Sequence, residues 1–470
     1  MITMKARYFS KVLIANRGEI ACRIIRTLNR MGIRSVAVYS DADRNALHVE
    51  MADEAIHIGG PSSSESYLNI PRILAAAQQC NADAIHPGYG FLSENADFAE
   101  QCEAKGIRFI GPSATAIRAM GSKSAAKRLM ESIGVPLIPG YHGDDQSEAR
   151  LVLEAEKIGF PVLLKAAMGG GGKGMRVVHA AEDLPHSIAS CRREALASFS
   201  DDHLLIEKYI ECPRHVEVQI FCDEHGNAVH LFERDCSIQR RHQKIIEECP
   251  APDLPEHIRT GLHRDAIAAA KSIQYTGAGT VEFLYDGRAH YYFMEMNTRL
   301  QVEHPVTEMI TGQDLVEWQI LVAQSLPLPL RQDEIVQNGH SIEVRICAEN
   351  PANDFMPSIG QFQILCKPER SSNIRLDSGV RDADTISIYY DSMIAKLITW
   401  DKTRDGAIRR MRQALEHFCV CGIETNISYL YQLVSNADFQ QCKLATNFIA
   451  VNQHTLQLTA PLSDQHVAVA

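Results

Sequence analysis

The spacing of hydrophobic positions changes several times along the chain, and each change marks an element. Residues 12–15 (VLIA) form a short apolar run of strand length, and residues 35–40 (SVAVYS) form another. Between them Ile20, Ile24, Leu28 and Met31, joined by Ala21 and Ile25, recur at helical spacing and make one apolar face. Gly32 follows that face and stops the helix. Residues 83–86 read as a further strand opening into the turn Pro87-Gly88-Tyr89-Gly90, with Ser93 placed to cap the next helix. Residues 108–111 give another strand. This alternation predicts a doubly wound, Rossmann-like sheet over about the first 115 residues, and so an α/β fold class. The dinucleotide fingerprint is missing, because Ala15-Asn16-Arg17-Gly18 is not GxGxxG, which disfavours a plain NAD enzyme.

Residues 113–133 read as one helix, and Pro136 and Pro139 mark a boundary. Residues 161–167 (PVLLKAA) are a strand carrying Lys165, followed by the glycine run 169–174 (GGGGKG) and a second strand, 175–178. A Walker A loop needs GK, then Ser or Thr, then a helix; here Met175 and a strand follow, so the glycine run reads as a hairpin lid whose N–H groups can wrap phosphates. Residues 204–210 (LLIEKYI) fit a strand edge that could pair with an adenine ring, and equally an ordinary exposed edge. Residues 214–221 alternate, with His215, Glu217 and Gln219 on one face and Val216, Val218 and Ile220 on the other. Residues 279–285 and 291–294 are strands joined by a two- to four-residue turn around Asp286-Gly287-Arg288. A third, mixed α/β segment begins near Gly339 and has a final helix near residues 404–418. A polar, poorly ordered tail is expected from Val451.

The chain has 470 residues, 45% of them hydrophobic, enough for two to four domains. Its net charge of −11 argues against nucleic acid or an anionic membrane as the main partner. The basic cluster Arg234, Arg240, Arg241, His242 and Lys244 therefore stands out. Thirteen cysteines include no CxxC, so neither a zinc site nor a redox dithiol is expected, and the thiols fit a reducing compartment. With no apolar leader and no membrane-length run, the expectation is a soluble protein of the cytoplasm, or of the mitochondrial matrix in a eukaryote.

Candidate chemistry concentrates in residues 295–305 (EMNTRLQVEHP), where Glu295, Asn297, Arg299, Gln301, Glu303 and His304 follow the strand. Glu295 and Asn297 share a face, and Arg299 and Gln301 continue it if the backbone stays extended. Folding 279–285 back on 291–296 sets Glu282 nearly opposite Glu295. Two ionised carboxylates so placed repel, so one is protonated or a cation lies between them. Hard oxygen ligands with Asn297 nearby select Mg²⁺ or Mn²⁺, most usefully one carrying nucleotide phosphates. The bland alternative is a carboxylate bonded to a neighbouring Arg.

GGGGKGMRVV, RRHQK, EMNTRLQVEHPVTE and the opening IANRGEIACR together resemble the biotin carboxylase family of ATP-grasp enzymes, over about residues 8–450. Residues 39–45 (YSDADRN), 140–147 (GYHGDDQS) and the segment around 293–312 are most similar to the α chains of acyl-CoA carboxylases acting on 3-methylcrotonyl-CoA or similar branched substrates. The resemblance implies an N-terminal domain over 1–120, an ATP-grasp domain over 121–333 with a lid over about 137–209, a C-terminal domain over 334–450 and a flexible tail. It implies that ATP phosphorylates bicarbonate to carboxyphosphate, whose CO₂ is captured by carrier-bound biotin. Lys123 and Lys165 would hold ATP phosphates under the lid of Gly170, Gly171 and Gly172. Glu207, Lys208 and Ile210 would frame the adenine, and His215 and His242 would contact the nucleotide. Glu282, Glu295 and Asn297 would bind the metal, and Lys244, Arg299, Gln301 and Val302 the bicarbonate. Glu303 would be the general base and Arg345 would stabilise the biotin enolate. Taken singly, each has a plainer reading: His215 and His242 as structural hydrogen-bonding groups, Lys123 as surface, Arg345 as an ion pair with Glu343. Asp391 is expected to support the Arg345 neighbourhood. Implied partners are a biotin carboxyl carrier protein or domain and a carboxyltransferase subunit, in a homo- or hetero-oligomer. The rival enzyme reading is an ATP-grasp ligase coupling an acyl phosphate to an amine; a silent nucleotide-binding scaffold would have lost Lys165, Glu295 or Glu303.

Overall fold

The first element pair follows the apolar pattern closely. In the computed structural model, which describes residues 7–167 and 175–456, β1 (Lys11–Ile14) leads into α1 (Gly18–Arg30) and β2 (Arg34–Ser40). Ile20, Ile24, Ile25 and Leu28 are buried on the inner face of α1, and Gly32 takes a positive φ of 70° just past its end. β3 (Glu54–Gly59), β4 (Ala84–His86) and β5 (Arg108–Phe109) complete a five-stranded parallel sheet in the order β3-β2-β1-β4-β5. β3 escaped the sequence reading because it is an edge strand whose first residues alternate between exposed and half-buried positions.

Two local expectations fail for identifiable reasons. The next helix, α2 (Ala96–Ala104), is capped by Asn95, which accepts the Phe98 N–H at 2.8 Å; Ser93 lies in the preceding turn, its N–H bonded to the Gly90 carbonyl. The helix expected over 113–133 is two, α3 (Ala114–Gly121) and α4 (Lys123–Ser132), because Ser122 adopts an extended backbone and caps α4 through Ala125 N–H.

A four-stranded sheet follows, β6 (Gly140–Tyr141), β7 (Val162–Ala166), β8 (Met175–Val178) and β9 (Leu204–Lys208), in the order β6-β9-β7-β8. β7 and β8 are antiparallel partners, with Lys165 opposite Met175. The lid glycines between them, Gly170, Gly171 and Gly172 among them, lie outside the described residues. β9 runs between β6 and β7, so the edge reading is corrected for Ile206 and Glu207, which are paired on both sides, while residues 209 and 210 lie beyond the strand.

The large sheet is built from β10 (Arg214–Cys222), β11 (Ala228–Arg240), β12 (Gln243–Cys249), β13 (Gly277–Tyr285) and β14 (Tyr291–Asn297). After α5 (His304–Thr311) it continues into β15 (His340–Cys347), β16 (Ile374–Ser378) and β17 (Met393–Asp401). The order is β14-β13-β10-β11-β12-β15-β17-β16, antiparallel throughout. One ladder therefore crosses the 333/334 boundary, with Ile246 opposite Val344 and Glu247 opposite Glu343. Along β10 the apolar face, Val216, Val218 and Ile220, packs with Val281, Phe283 and Phe293, each such side chain contributing ~1.5–3 kcal/mol. The polar face of β10 is equally buried, so its charges must be balanced by neighbours.

The β13–β14 loop spans residues 286–290, longer than the turn expected, because the Asp286 carboxylate gathers the N–H groups of Arg288, Ala289 and His290. α6 (Arg404–Glu416) is not the last helix: Ile427–Ser435, Ala437–Gln440 and Phe448–Asn452 follow, the last reaching past residue 451. Residues 457–470 of the expected tail lie outside the described residues. Among the described residues no helix is long and apolar enough to cross a membrane.

Candidate active site

Lys123, Lys165, Glu207, Lys208, Ile210, His215, His242, Lys244, Glu282, Glu295, Asn297, Arg299, Gln301, Val302, Glu303 and Arg345 all line one cleft of about 1230 Å³. It lies where the β7–β9 sheet, the polar face of the large sheet and the loops after β1 and β4 meet.

At the β7–β9 end, Lys165 Nζ lies 2.5 Å from Glu207 Oε2, and Lys127 Nζ bonds Glu207 Oε1. Two ammonium groups thus share one buried carboxylate. Burial and the nearby Lys123 push the Lys165 amine down to about 8. Lys127 was missed from sequence, although it lies one turn after Lys123 on α4, the spacing at which helical side chains share a face. Lys123 is the first residue of α4, and Lys208 Nζ donates to the carbonyls of Gly159 and Phe160. His242 lies in the β11–β12 turn at a positive φ, with burial and Lys165 holding its pKa below the usual histidine range.

In the middle of the cleft the β13–β14 register sets Glu282 opposite Glu295, as expected. Glu282 Oε1 accepts from Lys244 Nζ (2.8 Å), Asn297 Nδ2 (2.9 Å) and Gln301 Nε2 (3.0 Å); Oε2 is 2.8 Å from His215 Nε2. Burial would raise the Glu282 pKa, but Lys244 and His215 reverse this and hold it well below the carboxylate range. His215 is raised despite burial, because Glu282 favours its charged form. Glu295 differs: burial and then Glu282 push its carboxyl up, the signature of a second acid short of positive charge. Glu282, the half-buried Glu295 and the Asn297 amide oxygen, which Arg299 holds, offer oxygen donors at one place, and a hard divalent cation would relieve the repulsion that raises Glu295, so the residues fit Mg²⁺ or Mn²⁺. Two other acidic groupings, His215–Glu217–Glu282 and Glu217–Cys236–Glu303, are already bridged by Lys244 Nζ.

Beyond Asn297 the extended parity ends. Residues 298–303 form an irregular loop, and Glu303 becomes the residue before α5, turned back into the cleft. Arg299 donates to Asn297 Oδ1 (2.8 Å), Gln301 Oε1 (2.5 Å) and Glu94 Oε2 (2.8 Å); Glu94, from the N-terminal unit, was not foreseen. Glu303 is 1% exposed, with Oε1 2.7 Å from Lys244 Nζ and Oε2 3.1 Å from an Arg345 guanidinium nitrogen. Against the upward pull of burial, Lys244, Arg345 and Arg234 hold its pKa far below the usual carboxylate value. Lys244 bridges Glu217, Glu282 and Glu303, which keep it cationic against the pull of desolvation at this half-buried position. Arg345 pairs with Glu247 Oε1 (2.6 Å) and Glu303, not with Glu343 as its strand position suggests.

The basic cluster read from sequence does not act as one. Arg234 is fully buried under Glu217, Gln219, Thr280 and Thr307; Arg240 pairs with Glu349; Arg241, at the cleft rim, pairs with Asp354, so His242 and Lys244 alone of the five turn to the groups described above. The register of β11 shifts between Asp235 and Gln239, Arg241 and His242 lie in the β11–β12 turn, and Lys244 is on β12, so no single face gathers the five. Asp391 is exposed at the cleft edge, one carboxylate oxygen accepting the Met393 N–H, and among the described residues it makes no hydrogen bond or ion pair with Arg345.

Three family models cover the chain: "Biotin carboxylase, N-terminal domain" over residues 8–117, "Carbamoyl-phosphate synthase L chain, ATP binding domain" over 122–331, and "Biotin carboxylase C-terminal domain" over 343–451. The methylcrotonoyl-CoA carboxylase subunit alpha of Dictyostelium discoideum is 55% identical over 99% of this chain, and that of Rattus norvegicus 54% identical over 94%. The chain spans 67% and 62% of those two proteins' lengths. Biotin carboxylase 1 of Bacillus subtilis is 52% identical over 93% of this chain and 98% of its own length. Among solved structures, the biotin carboxylase of Campylobacter jejuni superposes with a TM-score of 0.92 at 49% identity, covering 94% of this chain and 99% of its own. The biotin carboxylase domain of the Hydrogenobacter thermophilus 2-oxoglutarate carboxylase, solved with MgADP, ADP and bicarbonate, gives 0.93 at 45% identity over 97% and 100%.

Proposed function

The chain belongs to the biotin carboxylase family and is a ligase of the ATP-grasp type, and from that premise we propose that it carboxylates carrier-held biotin with ATP and bicarbonate by way of the residues assembled in this cleft. The observation that carries the assignment is Glu303, a buried ionised carboxylate clasped between Lys244 and Arg345 beside Arg299 and Gln301. Bicarbonate enters against Lys244, Arg299, Gln301 and the Val302 backbone. It draws the Lys244 ammonium partly off Glu303, and the carboxylate, losing that cation, becomes a stronger base. Glu303 removes the bicarbonate proton, and the freed oxygen attacks the γ-phosphorus of ATP as the bond to the ADP oxygen breaks, giving carboxyphosphate and ADP. Lys123 and Lys165 hold the phosphates, with Lys127 left as the counter-ion of Glu207. Glu282, Glu295 and Asn297 would hold Mg²⁺, which when bound supplies charge neutralisation on the phosphates. Carboxyphosphate splits to CO₂ and phosphate, the released phosphate takes the proton of the biotin ureido nitrogen, that nitrogen takes CO₂, and Arg345 stabilises the transient ureido oxyanion. A guanidinium stays charged there, where a desolvated ammonium need not.

The same reading assigns the units 1–120, 121–333 and 334–450 to the three parts of such an enzyme. It makes the chain the biotin carboxylase part of an acyl-CoA carboxylase, working with a biotin carboxyl carrier and a carboxyltransferase in an oligomer. Its similarity to methylcrotonoyl-CoA carboxylase alpha subunits favours a branched acyl-CoA as the final acceptor, and a cytosolic or mitochondrial matrix location. ADP release should depend on bicarbonate and rise with free biotin, and Glu303→Gln should lower it 10²–10⁴-fold, the usual contribution of a general base. ADP release indifferent to both substrates would overturn the reading.

A further inference from the structure

Two residues before Arg345 on β15, Glu343 is fully buried, and neither of its oxygens accepts a hydrogen bond or joins an ion pair among the described residues. It stands directly opposite Glu247 across the β12–β15 ladder, a position that sets Cβ atoms about 4.5–5.5 Å apart. Glu247 is also fully buried; its Oε1 receives Arg345 Nε, while its Oε2 has no partner among the described residues. The neighbouring charges are already engaged. Lys396, across the β15–β17 ladder, donates to the Val302 carbonyl at 2.6 Å and lies 3.3 Å from Glu19; Arg345 is divided between Glu247 and Glu303. His304 on α5 is kept neutral by burial and by Lys396. Glu19, Glu247, Glu303 and Glu343 thus outnumber Lys396 and Arg345, the cations among them, and two facing buried acids cannot both ionise.

We propose that Glu343 and Glu247 share one proton, Glu343 O–H donating to Glu247 Oε2, and that Glu343 is thereby the positioning residue that fixes Arg345 on Glu303. A single assignment then engages two of the three partnerless oxygens, makes the third the oxygen of a neutral carboxyl group, and leaves one anionic oxygen for Arg345 Nε. A second full charge at Glu343 would compete for the guanidinium and draw it off Glu303, which faces the reacting anion. Burial and the adjacent Glu247 do push the Glu343 carboxyl well above its usual value, with Lys396 opposing them.

The inference rests on the biotin carboxylase reading for its kinetic arm alone. E343L, which has no donor toward Glu247, should lower biotin-dependent kcat at least tenfold with KM for ATP within twofold, and E343Q, which keeps an N–H donor, should recover most of that loss. In the ligand-free protein the infrared carbonyl band of a protonated, solvent-shielded carboxylic acid should be present in the wild type and absent from E343Q. An E343Q as impaired as E343L, or an acid band unchanged by E343Q, would overturn the proposal. The infrared arm needs no turnover, so a wild type without biotin-dependent ADP release would defeat the functional reading and leave the shared proton to be decided by the band.

Discussion

Replacing Lys244 with Met removes one ammonium from the meeting point of three carboxylates while keeping most of the side-chain volume. Its Nζ lies 2.5 Å from Glu217, 2.8 Å from Glu282 and 2.7 Å from Glu303, whose side chains are at most 4% exposed. Each acid retains another partner, Arg234, His215 and Arg345 respectively, so the loss is not three independent ion pairs. It corresponds to breaking one buried pair, ~3–5 kcal/mol at neutral pH. The pH dependence carries a definite sign. In the wild type Glu282 and Glu303 are depressed below the unfolded carboxyl value, so their stability is present above ~4.3 and is lost only as pH falls through the depressed values. In the Met variant burial pushes these acids above the unfolded value, so the variant is penalised at neutral pH and recovers by taking up a proton as pH falls. One proton gained is worth ~1.4 kcal/mol per pH unit, so the gap between the proteins should narrow by up to ~2.7 kcal/mol from pH 7.5 to 5.5. Urea unfolding followed by circular dichroism at the two pH values measures this. A gap below ~1 kcal/mol at pH 7.5, or one of equal size at both, would refute the reasoning.

Chelating divalent cations should abolish ADP release, and Glu295→Gln should raise the metal concentration for half-activation at least tenfold; removing an acid that repels Glu282 should also raise the metal-free Tm, ~1 kcal/mol giving ~2 °C by calorimetry. Arg234→Met should destabilise by ~3–5 kcal/mol in urea, since it strands Glu217 and three further buried polar partners. Arg241→Ala should change stability by less than ~0.5 kcal/mol, because its pair with Asp354 is exposed on both sides. Equal effects at the two arginines would contradict the separation of the basic cluster.

Much of this site could be read from the chain because its central pieces are local. Glu282 and Glu295 are joined by a five-residue loop, and period-two alternation assigns His215, Glu217 and Gln219 to one face of β10 whatever lies beside it. The long motifs then attached roles to side chains that are unremarkable one at a time. Local rules failed where two signals compete over a residue or two, as at Ser93 against Asn95, and at Ser122, a cap inside an apparently continuous helix.

Sequence by itself determined the faces of the strongly patterned elements, such as α1 and β10, and the pairing of Glu282 with Glu295. Only the tertiary structure decided that Lys244 reaches Glu303, 59 residues on, that Glu94 holds Arg299 from 205 residues away, and that Arg345 turns to Glu247 and leaves Glu343 alone. The reason is that residue periodicity constrains the direction of a side chain but not the identity of the strand opposite. Closing a longer loop costs only ~0.6 kcal/mol per doubling, so burial of the apolar faces chooses the neighbours, and the buried charges settle with the partners that choice brings.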